Sequence, residues 1–182
     1  ELGQVYAKFG SEVTVLEALE GLLMGADPDL SRPLINKLKK QFKVIHTSAV
    51  LKGAKKSGST VAVTYSLGGV ERTEEYDHVL VSVGRKPNTD QIGLEKTKVV
   101  VNDRGFIEVD AQRRTTDKRI FAIGDVAGGL QFTHVANYHA GVVMKRICFR
   151  LPAKATTDHI PWVTYTEPEL ANVGLSEDEA RK

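Results

Sequence analysis

The sequence predicts an α/β fold, and three observations carry that prediction. Leu2, Val5, Tyr6 and Phe9 recur on one face of a helix, and after Gly10 comes a short apolar run at residues 12–16. Residues 60–65 alternate apolar with polar and are followed, across Gly68-Gly69, by a further strand pattern at residues 70–75. A third run, residues 120–123, ends in Gly124-Asp125 and leads through a glycine-rich turn into a helical pattern.

Taken in order, the first helix should end at Gly10 in a left-handed cap, and residues 12–16 should form a buried strand parallel to its neighbour. Glu17 stands where that strand runs out. A second helix is expected over residues 27–41 with Leu30, Leu34 and Leu38 on its inner face, and Pro33 should either kink it or mark its true start. Strands at residues 43–46, 50–55, 60–65 and 70–75 form a small antiparallel meander, and the apolar run 78–83 reads as one more strand. Together these elements suggest an incomplete doubly wound domain, a Rossmann-like three-layer arrangement without its opening strand and glycine loop.

A polar stretch at residues 90–98 is a candidate domain crossing. Beyond it, strands are expected at residues 106–109 and 120–123, then a helix over about residues 132–149 with Val135, Ala136, Val143 and Ile147 inward. Residues 153–158 form a linker, residues 160–165 open a new strand, and residues 176–181 begin an acidic first turn of a helix.

Composition narrows the function. With 41% hydrophobic and 26% charged residues the chain can bury a core. Its 25 basic and 23 acidic residues are interspersed, so no basic face for nucleic acid is expected. The apolar runs are far shorter than the ~18 residues of a membrane span, and no leader pattern opens the chain, which points to a soluble, cytoplasmic protein. The single cysteine, Cys148, is read as a small apolar residue on a buried helix face. No metal site is expected, because His134 and His139, five apart, do not share a helix face.

The chemistry concentrates in the segment from Thr115 to Asp125, TTDKRIFAIGD. An acid delivered by a buried strand onto a glycine turn lies at the carboxyl end of a sheet, where open α/β sheets take their ligands, and its carboxylate can accept hydrogen bonds from sugar-like hydroxyls. A second motif is Gly84-Arg85-Lys86-Pro87-Asn88, whose glycine allows close backbone approach to a cofactor.

These two motifs resemble the second flavin motif and the G-R-x-P-N segment of the pyridine nucleotide-disulfide oxidoreductases, the family of dihydrolipoamide dehydrogenases and mercuric reductases. The resemblance covers nearly the whole chain, in order. It implies residues 1–89 as an NAD-binding domain lacking its first strand and glycine loop, residues 90–155 as the second half of an FAD-binding domain, and residues 156–182 as the start of a dimerisation domain. On that register Asp125 binds the ribityl chain of FAD, and Thr133 makes a second flavin contact at the start of the following helix. Glu17 chelates the adenosine ribose of NAD, Val50 lies beside the adenine, and Gly84 touches NAD.

No catalytic residue is expected within the chain. The implied parent is a homodimeric FAD- and NAD(P)H-dependent enzyme acting on a small-molecule or disulfide substrate, most like dihydrolipoamide dehydrogenase. Residues 128–134 lean towards mercuric reductase-like relatives. A nucleotide-binding module without redox cysteines is the alternative of another class. Since the chain starts within a helical pattern, without methionine, it is expected to be a fragment that is inactive alone.

Overall fold

The computed structural model describes residues 1–182 and resolves them into two compact units, one of Glu1–Ser82 with Pro161–Lys182 and one of Val83–Ile160. In the first unit, helix α1 (Leu2–Lys8) closes at Phe9, and Gly10 takes φ +94°, the left-handed conformation that lets Ser11 N–H reach back to the Tyr6 carbonyl at 3.0 Å. Strand β1 (Thr14–Leu16) follows and pairs in parallel with β2 (Val44–His46), in the register Thr14↔Val44 to Leu16↔His46.

The crossover between these strands is helix α2 (Pro28–Gln41). It starts at Pro28, whose missing N–H costs nothing at the first helical position, and it runs through Pro33 without ending there. Leu34 and Leu38 are buried, but Leu30 stays exposed, so the expected apolar stripe loses its first member. These two leucines form a core with Leu170, packed by Leu22, Leu23, Phe42, Ile45 and Trp162. Each such leucine, fully buried, contributes roughly 1.5–3 kcal/mol.

Leu170 comes from the far end of the chain. There β6 (Trp162–Thr164) and β7 (Leu170–Asn172) form an antiparallel pair, and the buried amide of Gln4 fastens the turn between them. Gln4 Nε2 donates to the Glu167 carbonyl at 3.0 Å and its Oε1 accepts Glu167 N–H at 2.9 Å. The chain closes with helix α4 (Glu177–Ala180), capped by a reciprocal Ser176–Glu179 box as the acidic first turn leads one to expect.

The meander forms as expected: β3 (Ala49–Ser57), β4 (Thr60–Leu67) and β5 (Val70–Tyr76), antiparallel in that order. Gly68 and Gly69 have φ +59° and +83°, the mirror-image two-residue turn whose twist matches the strands it joins. Residues 78–83 differ from expectation. They lie outside any sheet, with Leu80, Val81 and Val83 exposed, because the parallel sheet in this chain has two strands and neither runs beside them.

In the second unit, regular structure is sparse: one-turn 3-10 helices at Leu94–Lys96 and Gly124–Ala127 and helix α3 (Thr133–Ile147). The strands expected at residues 106–109 and 120–123 shrink to single bridges, Val101↔Ile107 and Arg114↔Phe121. Side chains take the backbone donors instead. Asn102 Oδ1 accepts Arg104 and Phe106 N–H at 3.0 and 3.1 Å, and Asp110 Oδ1 accepts Gln112 and Arg114 N–H at 2.8 and 3.0 Å, folding the chain before a ladder can extend.

Helix α3 buries Val135, His139 and Val142. The expected face of Val135, Ala136, Val143 and Ile147 is thus corrected: Ile147 is exposed and a histidine occupies the middle of the stripe. Burial is possible because His139 Nδ1 accepts Gly124 N–H at 3.2 Å. Cys148 also differs from its reading, since it caps α3 as an exposed free thiol. No helix is long and apolar enough to cross a membrane.

Acid sensitivity follows from three groups. The Arg119 side chain and backbone hold the Asp117 carboxyl at about 2, below its ordinary 3.8, and hydrogen bonds from Lys37 and Lys8 hold Glu167 at about 2, below 4.5. A depressed acid pKa stabilises the fold fully above the unfolded value and loses that contribution as pH falls through the folded one. Burial, reinforced by Arg113, lowers the pKa of His139, so its part is lost as pH drops below the ordinary histidine value of 6.5. All three have one sign: the thermal unfolding midpoint should fall monotonically from pH 7 to pH 2, and Asp117→Asn should flatten the part between about 4 and 2. A midpoint that rises on acidification contradicts this.

Candidate functional site

The second unit builds its site on the turn after residue 123. Thr115 and Asp117, both buried, lock the approach: the Thr115 hydroxyl accepts Asp117 N–H at 3.1 Å and shares its proton between the carbonyls of Asp117 and Ile120, at 2.9 and 3.0 Å. The chain then reaches Gly124, which is needed twice over. Its φ is +72°, and a Cβ there would stand 3.0 Å from that of Ala136 on α3. Turn and helix are therefore in contact, and Asp125 projects from the turn with its carboxylate half exposed.

Arg85 meets it. The guanidinium lies 3.6 Å from Asp125 Oδ2 and donates to the Gln131 carbonyl at 2.9 Å, two residues before α3. Gly84, at φ +108° with nothing within 4 Å of the space a Cβ would fill, is the open residue beside it. Thr133 is the first residue of α3 and is exposed. The first turn of α3 holds no acid, and the Phe132 carbonyl that opens it accepts the N–H of Val135 at 3.0 Å and of Ala136 at 3.2 Å. Gly84, Asp125 and Thr133 thus belong to one unit, with Arg85 as the side chain that joins the first motif to the second.

Alongside lies an open cavity of about 670 Å³, lined by Phe106, Arg113, Gly128, Gly129, Val135 and His139 among others. The Arg113 Nε has no hydrogen-bond partner, and burial lowers its pKa. Sequence reasoning missed Arg113 and His139. The signal for His139 was its spacing of four from Val135; Arg113 offered none.

The other two residues belong to the first unit. Glu17 directly follows β1, half-buried, and its Oε1 accepts Leu19 N–H at 2.8 Å, which leaves the second carboxylate oxygen for a ligand. Val50, half exposed on β3, neighbours Ala49, whose N–H donates to the Glu17 carbonyl at 2.9 Å. Glu17 and Val50 therefore share one end of the parallel pair, where α/β sheets place ligands. No group of three or more histidine, cysteine or acidic residues has the geometry to hold a metal ion.

A parallel strand pair crossed by a helix, with an acid at the strand end, is Rossmann-like architecture. The family profile described as pyridine nucleotide-disulphide oxidoreductase matches residues 1–140, and the chain belongs to that family. Its members use FAD and a pyridine nucleotide. Dihydrolipoyl dehydrogenase of Staphylococcus aureus is 45% identical over 184 residues, covering 100% of this chain and 39% of that protein. Mercuric reductase of the same species is 34% identical over 182 residues, covering 100% of this chain and 33% of that one. Among solved structures, the HOCl-induced flavoprotein disulfide reductase RclA from Escherichia coli, as its Cu(II) complex, superposes with a TM-score of 0.87 at 29% identity, over 99% of this chain and 41% of that chain. The chain spans about two fifths of the length of the curated dihydrolipoyl dehydrogenases it matches.

Proposed function

We propose that this chain is the cofactor-handling part of a homodimeric, cytoplasmic FAD-dependent, NAD(H)-linked disulfide oxidoreductase of dihydrolipoyl dehydrogenase type. The observation that carries the reading is the Asp125 turn: a half-exposed carboxylate on a glycine turn, steadied by Arg85 and facing no closer ion-pair partner. Such a group fits the hydroxyls of a flavin side chain, and the amino terminus of α3, free of acid, fits an electron-rich ring edge. When bound, FAD supplies two-electron exchange between nicotinamide and a sulfur pair. The chain's own residues bind and orient: Asp125 and Thr133 the flavin, Glu17, Val50 and Gly84 the pyridine nucleotide.

In this reading residues 1–89 derive from an NAD domain, residues 90–155 from the second half of an FAD domain, and residues 156–182 from the start of a dimerisation domain. Identity of 45% to a dihydrolipoyl dehydrogenase against 34% to a mercuric reductase supports a lipoamide-type disulfide over mercuric ion as the substrate. The full-length protein should therefore oxidise dihydrolipoamide with NAD. Turnover with NADPH and mercuric ion, and none with lipoamide, would move it to the second reading.

Cofactor preference gives a separate test. Glu17 can accept both ribose hydroxyls but would repel a 2′-phosphate, and Ala18, Leu19, Glu20 and Gly21 offer no cation to receive one. The full-length protein is expected to prefer NADH over NADPH at least about tenfold in kcat/KM, a difference of about 1.4 kcal/mol. A preference for NADPH would remove Glu17 from this role.

A further inference from the structure

We propose that Glu74 is a positioning residue for the strand end that carries Glu17, and that it thereby sets how tightly and how selectively the first unit takes a pyridine nucleotide. The inference rests on the role given to Glu17 above. Glu74 lies on β5 directly opposite Val63 of β4, so it shares one face of the meander with Val63, Tyr65 and Tyr76. Tyr65 donates its hydroxyl proton to Glu74 Oε1 at 2.7 Å, and Tyr76 donates to Oε2 at 2.8 Å. One carboxylate therefore holds two phenols, one on each strand.

The brace reaches the nucleotide end in two steps. Tyr65 is completely buried, and its ring lies 5.7 Å from that of His46, the last residue of β2. The His46 carbonyl accepts Glu17 N–H at 2.8 Å, while Ala49 N–H donates to the Glu17 carbonyl at 2.9 Å and Ser48 N–H to that of Leu19 at 2.8 Å. Both backbone groups of Glu17 are thus held by the short link from β2 to β3, and the Glu74 cluster packs against that link.

Sheet pairing alone does not need this arrangement. An aliphatic residue at position 74 would serve the ladder, whereas a carboxylate with two donors adds fixed direction, which rigidifies a network beyond what burial gives. Rigidity is what a ribose-chelating acid requires, because small misplacements of a binding group are costly.

The test uses the full-length flavoprotein with Glu74→Gln, Tyr76→Phe, the double variant and Glu17→Ala. An amide turns one of the two acceptor positions into a donor, so one phenol must turn round to accept and leave the direction it holds now, and Glu74→Gln should raise KM for NADH roughly tenfold and narrow the NADH over NADPH preference, with kcat and flavin content retained. The double variant, which needs only one acceptor, should recover much of both. If Glu17→Ala weakens NADH binding while Glu74→Gln keeps the wild-type KM and preference, the positioning role is overturned and the Glu17 reading stands. A lowered melting temperature with unchanged cofactor preference overturns it equally, since that is a structural role only. Should Glu17→Ala itself have no effect, both fall. If Glu74→Gln gives no folded protein, Tyr65→Phe, which parts the carboxylate from the ring beside His46, decides by the same readouts.

Discussion

Asp125→Ala in the full-length protein is expected to purify nearly colourless, with FAD affinity reduced by ten- to a hundredfold. Hydrogen bonds to a charged group contribute about 1.5–3 kcal/mol each, and every 1.4 kcal/mol is a factor of ten in binding. Arg85, its neighbour at 3.6 Å, cannot replace the lost acceptor, because a guanidinium only donates and this one already donates to the Gln131 carbonyl. The fold should survive, since the turn is held by the backbone at Gly124, its contact with Ala136 and the His139 hydrogen bond rather than by the carboxylate. Flavin absorbance per protein after purification without added FAD, then titration of the flavin-free form, measures the effect. Full flavin content with wild-type affinity would show that the ribityl chain is held elsewhere.

The elements that were legible in the sequence are those that local chemistry specifies. Gly10 ends α1, Gly68-Gly69 turns the meander, and Ser176 with Glu179 caps α4, because each signal lies within four residues of the structure it causes. Residues 78–83 show the limit of this logic. An apolar run reports that a segment can be buried, while a strand also needs a neighbour to pair with, which is a property of the sheet and not of the run. Likewise Asn102 and Asp110 outcompete the short runs at 106–109 and 120–123 by bonding their own backbone, so bridges form where strands were expected.

The site divides in the same way. Asp125 and Gly124 could be read because an acid after a glycine at a strand end has few other uses, but the contact of Arg85 with Asp125 spans 40 residues and leaves no local trace. His139 was passed over because a histidine at a core position of a helix resembles a surface residue until its partner, Gly124 N–H, is known. The brace of Tyr65, Glu74 and Tyr76 was hidden for the opposite reason. Each residue is ordinary for a β-strand, and the network exists only through the register that pairs Val63 with Glu74.

The 182-residue polypeptide by itself is expected to catalyse no NADH-driven reduction of a disulfide or of a mercuric salt. Reducing a disulfide takes two thiols: one thiolate attacks to form a mixed disulfide, and a second must attack in turn to release the reduced product. The chain has one cysteine, Cys148, exposed at the end of α3, so it could reach a mixed disulfide and go no further. Cofactor retention is handicapped as well. The sequence contains no G-x-G-x-x-G loop, the element that with a helix amino terminus binds a dinucleotide pyrophosphate, so Asp125 and Glu17 would have to hold sugar hydroxyls without the phosphate anchor. With excess FAD, NADH and lipoamide, absorbance at the nicotinamide band should decline no faster than with free FAD, while the full-length protein under the same conditions turns over. Sustained protein-dependent oxidation of NADH by material whose mass matches the 20.0 kDa chain would place the redox chemistry on residues given no such role here, with exposed Cys148 the first to replace by serine.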